Sequence, residues 1–270
     1  MVAAGAAPAP GLRHALAGEI VKARSSRGLR VILLVALLIS VGLTALVVVG
    51  GGASALHERQ TAGEAGSPYE VLFFGPALGV WAYTFFAAHF VAGEFHHGMI
   101  TYSLAAVPVR HRLLISKLII VACVGLVAGV AISLVNFGIT QGALLSAGYP
   151  VLSLGDPALV RVVLVYVPAQ MAVWGTIVMS LAAVLRSTAP SVVVVFLGSL
   201  LPVAVAPMLP AVWGESVPRW MPGALIESVA GLAVPGSPGY LPPAVAVPVL
   251  LIWLVVFLAI ALRTFTRRDA

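Results

Sequence analysis

Charge is what this sequence has least of. Asp, Glu, Lys and Arg together make up 9% of its 270 residues, against about 25% in an ordinary soluble domain. With 61% hydrophobic residues and a mean hydropathy of +1.09, a water-soluble fold could not cover its apolar side chains, and the excess must face lipid. Cysteine occurs once, at Cys123 inside an apolar run. That excludes an intrachain disulfide, and no Cys/His metal spacing surrounds it, so it reads as a small residue facing lipid or another helix. Only two lysines occur, Lys22 and Lys117, and neither follows a glycine-rich loop. An ATP site of the G-x-x-x-x-G-K-[ST] kind is therefore missing. G-x-S-x-G, H-E-x-x-H and paired intramembrane aspartates are missing too, which leaves hydrolase and intramembrane-protease chemistry without a nucleophile or metal. No Asp or Glu lies well inside an apolar run, so the chain lacks the charged relay of a proton-driven carrier. Its halves show no repeat of the kind inverted-repeat carriers carry. The expectation is a protein that is not an enzyme and has no cofactor or metal.

What is present is apolar length. A spanning helix needs about 20 apolar residues, and six segments qualify, at about 31–49, 71–91, 118–145, 159–185, 191–209 and 244–262. The runs are long and continuous, without the period-two alternation of membrane strands, so the expected class is an all-α integral membrane protein. The first ten residues, rich in Ala and Pro, read as a disordered tail, and residues 11–270 as one transmembrane domain.

Although net charge is +6 and pI near 10.0, the basic residues sit at the ends of apolar runs and not in aromatic-laced clusters, so no nucleic-acid partner is expected. Counting every other loop together with both termini, one side holds twelve of the 15 basic residues. The opposite side has only Arg59, Arg161 and Arg219, with six of the nine acids. By the positive-inside rule the basic side is cytoplasmic, and both termini lie there. A cleaved signal peptide ending near Ala53-Ser54-Ala55 is disfavoured, because the apolar run exceeds the about 7–15 residues such a segment uses.

Before the first span, Leu12, Leu16, Ile20 and Val21 recur at helical spacing, with His14, Glu19, Lys22 and Arg24 elsewhere around the wheel. The stretch reads either as an amphipathic helix on the cytoplasmic interface, its arginines near anionic headgroups, or as a basic topogenic tail. Between the fifth and sixth spans, a Pro- and Gly-rich segment carries Trp213, Trp220 and the run Met221–Gly231. This run is too short to span and reads as a short outer helix, interfacial or re-entrant, or as an irregular loop. Inside the spans the polar residues are His89, Asn136, Gln141 and Gln170. They either line a substrate route or join helices by hydrogen bonds.

The segment joining spans two and three, from Gly93 to Arg112, is the most informative. Glu94 directly follows an apolar helix, where an unpaired carboxylate is costly, so it belongs at the interface or in a protein contact. A short helix within about 95–106 would stop before Pro108, which disfavours α conformation at Val107. Arg110, Arg112 and Lys117 then stand at the start of span three, where the helix dipole opposes cations; topology or a partner's acidic surface must outweigh that. From physics alone the segment is either a docking element or an ordinary positive-inside loop. Adjacent His96 and His97 point about 100° apart on a helix, which does not favour chelation of one ion.

Glu94, Gly98, Thr101, Leu104, Pro108, Arg110 and Lys117 together resemble the pattern of permeases of the type-2 ABC exporter family. His96-His97 stand where many relatives have a basic or polar pair. The resemblance implies six transmembrane helices after an interfacial helix, and a cytoplasmic coupling helix after span two that docks on an ABC ATPase subunit. It further implies a second permease copy or a related permease in the cytoplasmic membrane, and adds Phe95 and His96 to the coupling residues. The expected function is thus the permease subunit of an ATP-driven exporter; the alternative is a non-transport assembly or sensor-anchor subunit.

Overall fold

The computed structural model describes residues 11–61, 67–96, 98–208, 210, 216–237 and 239–267. The first ten residues, expected as a disordered tail, lie outside these, as do His97 and Trp213. Among the described residues the regular structure is helical, with no strand. A helix satisfies its own backbone N–H and C=O groups, which a hydrocarbon surrounding cannot do.

In chain order the helices are α1 (Leu12–Ser25), α2 (Arg27–Thr61), α3 (Phe74–His96), α4 (Ile100–Ala106), α5 (Arg110–Ser146), α6 (Pro157–Leu185), α7 (Thr188–Val205), α8 (Ser216–Arg219), α9 (Pro222–Ala230) and α10 (Pro243–Arg267). Single 3-10 turns stand at Glu70–Leu72 and Ala206–Met208. Six helices, α2, α3, α5, α6, α7 and α10, are long and apolar enough to cross a membrane. Each overlaps one of the apolar windows read from the sequence.

Backbone chemistry, more than hydropathy, sets the helix ends. Asp156 caps α6 by accepting from the Ala158 N–H at 2.9 Å, with Pro157 in the first turn, where its missing N–H costs nothing. Arg186, left-handed at φ 54°, closes the same helix. The Gly50-Gly51-Gly52 run, read as the end of the first span, is a kink at Gly52 (φ 74°, ψ 166°), after which helix resumes to Thr61.

Helices α3 and α6 form the hub. About two-thirds of the most apolar stretch of each is buried, 61% and 67%, against 17% for α2 and α7 and 11% for α10. α5 and α6 share the most extensive contact. Gly125 and Gly129, four residues apart, let α5 approach the α6 backbone, so that a Cβ on Gly129 would strike Pro168. The Tyr83 ring of α3 lies against Gly175 of α6, and its hydroxyl donates to the Val121 carbonyl of α5. The short α9, stopped by left-handed Gly231 (φ 81°), buries Leu225 and Ile226 against its neighbours and packs on α6 and α10. On α2, α7 and α10 rows of Leu, Val and Ile remain exposed, the surface expected toward lipid or another apolar chain.

Candidate functional site

Among the described residues the two fully buried charges, Glu19 and Lys117, meet at one point, where α1, α3, α4 and α5 converge. α3 brings Glu94 on its last turn, α5 brings Lys117 two turns from its start, and α1 brings Glu19 and Lys22, three residues apart. Lys117 Nζ lies 2.6 Å from Glu19 Oε2 and 2.8 Å from Glu94 Oε1. Lys22 Nζ lies 2.7 Å from Glu19 Oε1 and 2.9 Å from Glu94 Oε1, and donates to Ser103 Oγ of α4 at 2.8 Å. Ser103 in turn donates to Glu94 Oε2 at 3.1 Å. Two ammonium groups thus alternate with two carboxylates around a closed ring. The Phe90 ring faces Lys117 Nζ at 4.6 Å.

Burial gives this ring its stakes. The Lys117 side chain is 1% exposed and that of Glu19 3%. Removing any one member leaves an uncompensated charge away from water. Burial pulls the Lys22 pKa down, but the hydrogen bonds and charges of Glu19 and Glu94 outweigh that and raise it above its ordinary value. Lys22 therefore stays charged throughout the physiological range.

The α1 wheel is turned relative to the amphipathic reading. Ala15 and Glu19 are buried and Lys22 is half-buried, whereas Leu12, Ile20 and Val21 are exposed. Glu19 and Lys22 face inward because Lys117, Glu94 and Ser103 await them; of the apolar positions Leu16 packs on the core, while Leu12, Ile20 and Val21 face outward.

α4 is held by its neighbours at both ends. Gly98 takes φ +62° with open space around it, and the Thr101 hydroxyl donates to the Gly98 carbonyl at 2.8 Å. Val107 (φ −131°, ψ 86°) leaves helical geometry directly before Pro108, as expected. Ile100 and Ser103 are buried and Leu104 is half-buried. Met99, Thr101, Tyr102, Ala105, Ala106 and Pro108 form an exposed face, with Tyr102 77% exposed. Phe95 packs edge-on against Phe265, with the Arg186 guanidinium 5.1 Å from the Phe95 ring centre, and His96 is exposed. Arg110 donates to the Phe265 carbonyl at 3.3 Å. That resolves the dipole cost expected for a cation opening α5, because the same side chain serves the carbonyl-rich end of α10 within the chain.

Of the nine residues read as coupling positions, Glu94 and Lys117 join the ring, and Phe95 and Arg110 meet α10. Leu104 is half-buried, and His96, Gly98, Thr101 and Pro108 lie at the surface. Sequence reasoning did not assign Glu19, Lys22 and Ser103 to the site, nor Met99 and Tyr102 to the exposed face. One signal was available for the first two: Glu19 is one of only nine acids in the chain, and it stands three residues from one of the two lysines on the helix before the first span, a spacing that places both on one face.

The polar residues within the spans do not line a common route. Asn136 donates to Ser40 Oγ at 2.9 Å and accepts from the Thr44 hydroxyl, joining α5 to α2. Gln141 accepts from the Leu152 N–H at 2.8 Å and donates to Gln60 at 3.4 Å. Gln170 accepts from Trp174 Nε1 at 2.5 Å and lines a cavity of about 200 Å³ with Trp81 and Tyr166. His89 is exposed on the outward side of α3. Among the described residues no group of three His, Cys, Asp or Glu is placed to hold a metal ion.

At the opposite end of the bundle, Glu70, Glu227 of α9 and Tyr166 of α6 line a polar cavity of about 390 Å³. The Tyr166 hydroxyl donates to Glu227 Oε1 at 3.4 Å. Burial, and secondarily the nearby charge of Glu70, hold the Glu227 pKa above its ordinary 4.5.

Residues 15–205 match a family model described as ABC-2 family transporter protein, a segment that runs from α1 to the end of α7 and contains the whole charge ring. No curated protein and no solved structure matches the chain.

Proposed function

Because the chain belongs to the ABC-2 family of transporter proteins, we propose that it is the membrane subunit of an ATP-driven exporter whose ATPase is a separate chain. The observation that carries this reading is the ring of Glu19, Lys22, Glu94 and Lys117. It ties a surface helix, α4, to the ends of two membrane-spanning helices through hydrogen bonds of 2.6–3.1 Å. In this reading the ring lies at the cytoplasmic end, where the basic residues concentrate, and both termini lie with it.

The ATPase docks on the exposed face of α4, around Met99, Thr101, Tyr102 and Ala105. Its closure on ATP displaces α4. The displacement passes to α3 through the short connection at Gly98 and the Ser103–Glu94 bond, and to α5 through Lys117. The two end states differ in how α3 and α5 sit against the rest of the bundle, and ATP biases one of them by its differential contacts. The exposed apolar row on α7 suits a second copy, or a related permease, that completes the path. The chain brings no nucleotide site of its own, and ATP hydrolysis belongs to the partner.

Cross-linking tests the docking. In a Cys123→Ser background, Tyr102→Cys is expected to cross-link to the ATPase subunit. The same reagent on Leu251→Cys, an exposed position of α10, is expected to give none. A complex that forms while Tyr102→Cys stays unlinked would place the docking surface elsewhere.

A further inference from the structure

Two cavities adjoin on the outward side of α3, and His89 lines both. The first, of about 260 Å³, is polar at its rim and lies at the α1–α2 joint, lined by Lys22, Ser25, Ser26, Leu29, Gly93 and Glu94, among others. The second is an apolar groove of about 590 Å³ between α2 and α3, walled by Val31, Val35, Ile39, Leu78, Trp81 and Phe85, among others. Along α3 the groove extends from His89 to Leu78, eleven residues, or about 16 Å of helix. That matches the depth of one leaflet, half of the about 30 Å hydrocarbon core.

From this continuity we infer that the chain holds an anionic phospholipid, its headgroup at the α1–α2 joint and one acyl chain in the groove between α2 and α3. Charge complementarity selects the headgroup. Arg24 and Arg27 stand next to the two serines in sequence, exposed outside the cavity wall where a headgroup projecting from it would meet them, and Arg30 follows one turn later. Ser26 Oγ accepts from the Leu29 N–H at 3.3 Å, which leaves its own proton for a phosphate oxygen. Lys22 spends its three protons on Glu19, Glu94 and Ser103. Glu94, the carboxylate in the pocket wall, is thereby neutralised within the ring and does not repel the phosphate as a bare charge. A tail gains little by leaving bilayer for groove, since both are apolar. Selectivity therefore comes from the arginines, and the groove sets where the lipid sits. A lipid there would bridge α1 to α2 beside the charge ring.

The inference needs only that the helices span a bilayer, and its test does not depend on transport or on an ATPase. The full chain, purified in detergent, is titrated with phosphatidylglycerol or phosphatidylcholine and bound lipid is counted by native mass spectrometry. Phosphatidylglycerol is expected to be retained preferentially. Arg24→Gln and Arg27→Gln, both surface changes, are each expected to lower that preference about fivefold, the scale of one basic residue near an anionic surface. Ala82→Trp, which fills the groove, is expected to abolish retention of either lipid, while Leu251→Trp on the exposed side of α10 leaves it intact. Equal retention of the two lipids, or a preference untouched by both arginine changes, overturns the inference. So does disulfide trapping of two copies through Val35→Cys in a Cys123→Ser background with no lipid retained, which assigns the groove to a second copy.

Discussion

Lys117→Met should cost far more on its own than together with a matching loss of negative charge. In the folded chain Lys117 is 1% exposed and touches Glu19 and Glu94 at 2.6 and 2.8 Å. Methionine fills much of the same volume but leaves Lys22 alone between two carboxylates. Breaking a buried pair by removing one partner costs about 3–5 kcal/mol. The lower end applies here, because Lys22, 38% exposed, still serves both acids and water reaches its side of the ring. Glu19→Gln, the mirror change, leaves two ammonium groups facing Glu94 and should cost a similar amount. The double variant restores neutrality, with Lys22 paired to Glu94. It should lose about 3 kcal/mol or less, where simple addition would give about 6. Each single loss corresponds to roughly 6–12 °C in Tm at the usual scaling for chains of this size. The assay is thermal unfolding of the purified proteins in detergent, read by retention of the monodisperse peak. A double variant as unstable as the sum of the singles would refute the idea that the four charges act as one neutral unit.

Three further outcomes follow from the same geometry. Gly75→Val should prevent folding, because a Cβ there runs into the Ser40 carbonyl and the Thr44 hydroxyl; Gly98→Ala, with open space around its Cβ, should cost only the left-handed strain of about 1–2 kcal/mol, and expression with thermal melting separates the two. Glu227, raised above 4.5 in the folded chain, contributes stability that is complete below that value and is lost as pH rises through the raised one. Protection of α9 in hydrogen exchange, corrected for intrinsic rates, should therefore fall as pH rises above 4.5 and become flat in Glu227→Gln. Tyr102→Ala should leave Tm unchanged and weaken ATPase association by about 2 kcal/mol, roughly 30-fold in Kd, as a truncated aromatic anchor does; a binding titration reads it.

The six long helices were legible because a lipid surrounding constrains a chain so heavily that length and hydropathy identify them. Helix ends were less so: hydropathy marks a slab, whereas α5 begins at Arg110, two residues after Pro108, and α2 runs through its glycine kink to Thr61. The break before Pro108 was readable from backbone sterics alone. The α5–α6 contact was written in the four-residue spacing of Gly125 and Gly129, but a glycine pair does not name the helix it will meet. The ring was legible by half. Glu94 and Lys117 stood out by position and by resemblance, whereas Glu19 and Lys22 looked like the polar face of a surface helix. Nothing local reveals that α1 would turn that face inward, since the counter-charges come from residues 72 to 98 positions away. Arg110 shows the same limit, its partner carbonyl lying 155 residues on.

In the proposed mechanism a separate ATPase drives this membrane subunit through α4 and the charge ring. ATP hydrolysis by that ATPase, reconstituted with the chain in liposomes, tests it most directly. The wild-type chain is expected to bind the ATPase and stimulate hydrolysis, and Glu94→Ala to insert in the membrane but lose the stimulation. Equal stimulation by Glu94→Ala, or hydrolysis indifferent to the presence of the chain, would contradict it.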